Sequence, residues 1–162
     1  GMRPGEILAL KRRHVSGDGR ALNVEQRIYR GLVDTPKTRT SLRTVAVGPI
    51  TSSLLVQWME FVGQDEDAWV FASENPAKPL WRDNVWHRVM KPKLDQIGLG
   101  WATFQVLRRT HASLGHDLGI DPKVAADQRG HGIGVSLDVY TKTALAKRLE
   151  ASDHLEKGVL SA

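Results

Sequence analysis

The strongest constraint on the fold is the run "TFQVLRRTHASLGHDLG" with "DPKVAADQRGH" directly behind it. Apolar spacing predicts a helix from about Phe104 to Asp117, closed by Gly119. Pro122 sits where a first helical turn accepts it, which predicts a second, short helix ending near Gly130. Upstream, "ITSSLLVQWMEFV" places Leu54, Leu55, Trp58, Met59 and Val62 at helical spacing, with Thr51 or Ser52 as the cap, and reads as a core helix. Another helix is expected from about Arg82 to Ile97, with Val85, Val89 and Leu94 inward and Pro92 kinking or breaking it. Residues 4 to 11 make an opening helix, and the chain closes on a short helix around Tyr140 and another from about Ala144 to Lys157.

Between the first two helices the period changes. "ALNVEQRIYR" alternates Leu22, Val24 and Gln26 before Ile28, and "RTVAVG" is β-branched, so both read as strands. "GLVDTPKTRTSLR", with Gly31 and Pro36, fits a short middle strand and a turn near Lys37. The expected fold class is α+β and mostly α-helical, with one small three-stranded antiparallel sheet near the N-terminus. Residues 1–162 read as a single domain, and the abrupt opening "GMRPGEILAL", with no cap or preceding element, predicts that it is a piece of a longer chain.

Composition narrows the chemistry. No cysteine is present, which excludes disulfides, thiolate metal sites and thiol nucleophiles and is compatible with a reducing cytoplasm. No apolar run approaches a membrane span and no signal peptide is visible, so a cytosolic or nucleoid protein is the simplest reading. The formal charge is +5, and it is unevenly spread: residues 1–45 hold ten basic and four acidic residues, whereas residues 50–80 hold one and five. A basic face that meets a polyanion follows more naturally than a uniform coat. Six histidines without a metal-ligand spacing, and the absence of a phosphate loop or a G-x-S-x-G elbow, argue against metal centres, nucleotide hydrolysis and serine hydrolase chemistry.

What remains is Arg3 with Glu6, Lys37 at a turn, Gln105 with Arg108, Gly130 with His131, and Tyr140. Two arginines can clamp the non-bridging oxygens of a phosphodiester and stabilise the charge of a pentacoordinate transition state. A tyrosine can attack phosphorus and store the bond energy as an ester for rejoining. A lysine can protonate a departing 5′ oxygen. Glu6, one helical turn after Arg3, is spaced to orient it.

In order and spacing these residues resemble the tyrosine recombinase (phage integrase) family, specifically its C-terminal catalytic domain. "GMRPGEILAL" is similar to the first box, "TPKTRTSLRTVAV" to the lysine-bearing hairpin, "QVLRRTHASL" to the second box, and "RGH" with "YTK" nine residues on to the third. The resemblance implies Arg3, Lys37, Arg108 and His131 as catalytic residues, Tyr140 as nucleophile, and Glu6 and Gln105 in support. It implies a site-specific DNA recombinase that works through a covalent 3′-phosphotyrosyl intermediate, with no cofactor and no metal. Double-stranded DNA would be the partner, and a homotetramer on paired sites the working assembly. Gln105 stands where the family usually has histidine, Arg109 replaces a frequent histidine, and Arg129 stands where leucine is usual. Arg39, Arg43 and Arg109 are candidate DNA-backbone contacts. His14, His87, His111, His116 and His154 receive no role, and the tryptophans are mostly core candidates. Two rival readings share the fold: a DNA-binding module with impaired chemistry, and a type IB topoisomerase-like enzyme.

Overall fold

The computed structural model describes residues 1–35 and 41–130. The turn carrying Lys37 and Arg39, His131, the short helix around Tyr140 and the terminal helix expected over residues 144–157 lie outside the described residues. Helices dominate the rest, with small antiparallel sheets near the N-terminus.

One helical turn, α1 (Pro4–Ile7), opens the chain, with Pro4 in the first turn and Arg3 extended ahead of it as the cap residue. The sequence predicts a helix to residue 11, but Leu8, Ala9 and Leu10 are all buried. Consecutive helical residues point in different directions, so a helix on a surface cannot bury three in a row. The helix ends instead in a turn at Leu8–Ala9, closed by the Leu10 amide on Ile7 O at 3.1 Å, and the Val70 amide donates to Leu10 O at 3.0 Å. A 3-10 turn, Arg12–His14, follows.

Four strands then form two separate ribbons rather than one three-stranded sheet. β1 (Ala21–Val24) pairs antiparallel with β4 (Arg43–Ala46), while β2 (Arg27–Tyr29) pairs with β3 (Leu32–Asp34). The break falls at Glu25–Gln26, where the Gln26 side-chain Nε2 donates to Ala9 O at 2.7 Å and holds the chain under α1. Gly5 makes that approach possible, because a Cβ there would lie 2.5 Å from Ile28 O. Arg30 and Gly31, both at positive φ (49° and 79°), form the tight turn between β2 and β3.

Leu10, Leu22, Val24, Val45, Val47 and Val70 make the core, and Leu55 and Met59 of α2 (Pro49–Met59) pack against it. Gly48 caps α2 in place of Thr51 or Ser52. Leu54 and Trp58, expected inward, are largely exposed, although the Trp58 indole N–H donates to Val70 O at 2.7 Å. Trp81 and Trp101 are likewise exposed.

The segment expected to kink at Pro92 stays helical by changing register. α3 (Arg82–Asn84) runs into a π-turn, Val85–Met90, and then into α4 (Lys91–Gln96). Pro92 has no N–H to give to the preceding turn, and the wider turn takes up that mismatch, with the Lys91 amide bonded to Trp86 O. Val89 faces outward as a result. α5 (Phe104–Asp117) follows the sequence expectation at both ends: Thr103 Oγ1 accepts the Val106 amide at 3.2 Å, and Gly119 follows at φ 70°. α6 (Pro122–Arg129) is capped by the Asp121 carboxylate and ends at Gly130 in the left-handed region.

His14, assigned no role from sequence, is 1% exposed. Its Nδ1 accepts the Lys11 amide at 3.0 Å, and its Nε2 faces Glu25 at 3.5 Å. Burial holds its pKa below the ordinary histidine value, with Arg13 and Lys11 adding to the depression and Glu25 opposing it. The unfolded chain therefore binds a proton before the folded one does, so stability is full above about pH 6.5 and falls as pH drops below it. Urea midpoints of the wild type are expected to fall more steeply from neutral to mildly acidic pH than those of His14→Gln, whose amide oxygen can still accept the Lys11 N–H. Parallel pH dependences would rule the titration out.

Candidate active site

Arg3 is positioned by its own backbone. As the cap residue of α1 its N–H donates to Glu6 Oε2 at 2.8 Å, while its guanidinium Nη1 donates to Glu6 Oε1 at 2.9 Å. Both bonds follow from the Arg-Pro-Gly-Glu spacing, which brings a carboxylate at the third helical position back to the cap. From β4 the Arg43 guanidinium reaches the same carboxylate, Nη2 to Oε2 at 2.8 Å and Nη1 to Oε1 at 3.3 Å. Burial of Glu6 disfavours its charged form, yet the hydrogen bonds from Arg43 and from the Arg3 amide outweigh it and hold the carboxyl below its usual range.

Exposure separates the two arginines. The Glu6 and Arg43 side chains are 3% and 7% exposed, the Arg3 side chain 42%. Arg3 can meet a ligand while keeping its carboxylate. Arg43 is a place where the structure departs from the DNA contact expected from sequence: its fork is spent on Glu6, Gln128 O at 3.1 Å and Ser41 O at 3.0 Å. It ties α1 and β4 to the end of α6. Gln128 strengthens that seam by bonding both backbone groups of Ala46, donating to its carbonyl at 2.5 Å and accepting its amide at 3.1 Å. Gly130 completes it, since a Cβ there would stand 2.7 Å from Arg43 Nη1 and its backbone lies at φ 66°.

Arg108 arrives from α5. Its Nη2 donates to Arg129 O at 2.7 Å and its Nη1 to Gly1 O. Burial, then the neighbouring Arg3, Arg43 and Arg129, push its pKa down to about 10 against the pull of Glu6, so it stays cationic at neutral pH. Four guanidinium groups thus gather around one carboxylate among the described residues. Arg129 is buried there, which its place in the sequence did not signal beyond standing where the resemblance would put leucine.

Arg3, Gln105 and Arg108 line one open cleft of about 750 Å³, large enough for a nucleotide-sized group. Gln105 and Arg108 share a face of α5 at i and i+3. Thr103 and Phe104 also line the cleft, so the positive end of α5 opens onto it. The opposite wall holds Arg82, Asp83, Trp86 and His87, none of which sequence reasoning selected. Arg109 is exposed and outside this lining. Lys37, Arg39, His131 and Tyr140 lie outside the described residues. Among the described residues no group of three histidine or carboxylate side chains could hold a metal, and no helix is long and apolar enough to cross a membrane.

Known proteins resemble this chain in sequence and in fold. The chain is 24% identical to a "Tyrosine recombinase XerC-like" protein of Caldanaerobacter subterraneus subsp. tengcongensis, over 96% of this chain and 46% of that one. Its fold superimposes on the Tn1549 transposon integrase in complex with transposon right end DNA, with a TM-score of 0.76 at 17% identity, over 95% of this chain and 55% of that one. The XerA recombinase gives a TM-score of 0.68 at 20% identity, over 94% and 53%. The chain therefore spans about half the length of the relatives it matches. The Phage integrase family matches residues 1–146, from the Arg3–Glu6 turn past Tyr140, and the chain belongs to that family of tyrosine recombinases.

Proposed function

We propose that this chain is the catalytic domain of a site-specific recombinase that breaks and rejoins double-stranded DNA. The Tyr140 phenol loses its proton to solvent as its oxygen bonds to the scissile phosphorus and the bond to the 5′ oxygen breaks. Lys37 gives that oxygen its proton, leaving a 3′-phosphotyrosyl ester and a free 5′-hydroxyl. Attack by a 5′-hydroxyl on the ester reverses the step, so neither water nor a cofactor is consumed. Arg3 and Arg108 hold the two non-bridging oxygens, with His131 and Gln105 as further hydrogen-bonding groups. Arg39 and Arg109 bind neighbouring phosphates. Four copies on paired sites form the working assembly.

The observation that carries this reading is the convergence of Arg3 and Arg108 on one open, nucleotide-sized cleft at the N-terminal end of α5, with Arg3 held by a buried carboxylate. A phosphodiester matches such a site in charge and geometry.

The test is to incubate the chain with a pool of nicked duplexes whose sequence is randomised around the nick, so that the short 5′-hydroxyl strand diffuses away and cleavage cannot reverse. Protein–DNA adducts that survive denaturing detergent are expected, with the nucleotide on the peptide containing Tyr140. No adduct, or attachment at another residue, would overturn the proposal.

A further inference from the structure

Just outside the cleft, the cap residue of α3 is an exposed tryptophan, Trp81, directly ahead of the lining residue Arg82. Its backbone is held on both sides. The Leu80 amide donates to Phe71 O at 2.8 Å, and the Val85 amide donates to Trp81 O at 3.0 Å as α3 begins. The six-membered ring rests against the β2–β3 turn, where a Cβ on Gly31 would lie 2.7 Å from Trp81 Cζ3. Gly31, at φ 79°, thus makes the turn and also seats the ring. The residue is still 47% exposed. Trp58 and Trp69 spend their indole N–H on the carbonyls of Val70 and Ala77, whereas Trp81 makes no such bond among the described residues.

The turn that seats the ring is basic and aromatic. The Arg30 guanidinium lies 5.4 Å from the centroid of the exposed Tyr29 ring, and that of Arg27 5.6 Å from it. Arg27 pairs with Asp34 at 2.8 Å, while Arg30 meets no carboxylate among the described residues. This surface is continuous with the phosphate clamp, because Gly5 of α1 closes on Ile28 of β2, and Arg3 and Pro4 just ahead of it line the cleft. A rigid, exposed indole beside a cation, at the edge of a phosphate site, is an arrangement that binds unpaired bases. Any base can stack on it, but a base inside an intact duplex has both faces covered already.

We propose that Trp81, with Arg30 at the turn that seats it, is a stacking platform for a nucleotide freed from its pair next to the phosphate held in the cleft. The inference rests on the cleavage reaction proposed above. Once the 5′-hydroxyl is released, joining it to a second site requires the strand end to leave its complement. Bases beside the phosphate lose their stack in that step, and Trp81 replaces it on one side. Arg30 meets the phosphate of the displaced nucleotide.

The test compares the affinity of the chain for two nicked-duplex pools that differ only in the two base pairs on the 5′-hydroxyl side of the nick, complementary in one and mismatched in the other. The wild type is expected to bind the mismatched pool about tenfold more tightly at fixed salt. Trp81→Phe should keep most of that preference. Trp81→Leu, which fills the seat on Gly31 without an aromatic face, should lose it at an unchanged urea midpoint and salt slope, since stacking releases no counter-ions. A wild type without the preference, or a Trp81→Leu that retains it, overturns the inference, and adduct formation on the paired pool would leave the function standing. If Trp81→Leu instead lowers self-association and leaves the DNA preference intact, the surface belongs to a second copy of the chain and the inference is equally overturned. A wild type that forms no adduct removes both.

Discussion

Replacing Glu6 with alanine is expected to cost about 3–5 kcal/mol of folding stability, because it leaves buried positive charge without its counter-ion. The Arg43 side chain is 7% exposed and cannot follow its charge into water without pulling β4 away from α6. The Arg3 amide loses its acceptor in the same step. Glu6→Gln keeps an acceptor for that amide and loses only the charge, so it is expected to fall between alanine and the wild type. The pH dependence separates charge from shape. With its folded pKa depressed, Glu6 contributes stability that is present above the unfolded carboxyl value of 4.5 and is lost as pH falls through the folded value. The gap between wild type and Glu6→Gln should therefore close on acidification. Replacing Arg43 by methionine in the Glu6→Ala background is expected to recover much of the loss, as paired removal of a buried ion pair usually does. Urea unfolding of the four proteins measures all of this, and a loss under about 1 kcal/mol for Glu6→Ala would show that the carboxylate is not the keystone of the cluster.

The parts of this fold that the sequence announces are those set by one or two residues acting locally. Thr103 and Gly119 bracket α5, Pro122 and Gly130 bracket α6, and Arg3 meets Glu6 across a single turn. What the sequence hides depends on partners far along the chain. Leu8 to Leu10 look helical, yet the helix stops in a turn at Leu8–Ala9 and all three are buried, Leu10 in the core beside Val70. The strand over residues 21–29 looks continuous and splits at Glu25–Gln26, where the Gln26 side chain bonds Ala9 O and the backbone changes partner from β4 to β3. Pro92 announces a disturbance, but not that a π-turn upstream absorbs it and swings Trp86 and His87 to the cleft. Arg43 and Arg3 are chemically identical in the sequence, and only burial separates an arginine that braces from one that can bind. The same holds for Arg129, whose burial no local pattern encodes.

Arg108→Ala is expected to slow adduct formation by about 10²–10³-fold or more, the usual consequence of removing one preorganised donor to a developing negative charge. Arg108 is fixed before any ligand arrives, by Arg129 O and Gly1 O, with burial strengthening whatever charge it meets. At a pKa of about 10 it is still protonated at neutral pH, so the loss reflects a missing fork and not a missing proton. Lysine restores a charge but not the planar pair of donors, and Arg108→Lys should recover only a minor part of the rate. Binding is expected to change less than chemistry, because in the proposed reaction Arg3 and contacts along the DNA backbone also hold the ground-state phosphate. Loss of one phosphate contact should lower the slope of log affinity against log salt by about one. Arg108 also anchors the end of α6, so its removal could act through Gly130 instead of through the phosphate. The urea midpoint separates the two routes: a slow variant with near wild-type stability and a reduced salt slope places the effect on the phosphate. If Arg108→Ala cleaves within about threefold of the wild type, transition-state stabilisation of the size argued here is absent and the cleft is not where strand cleavage occurs.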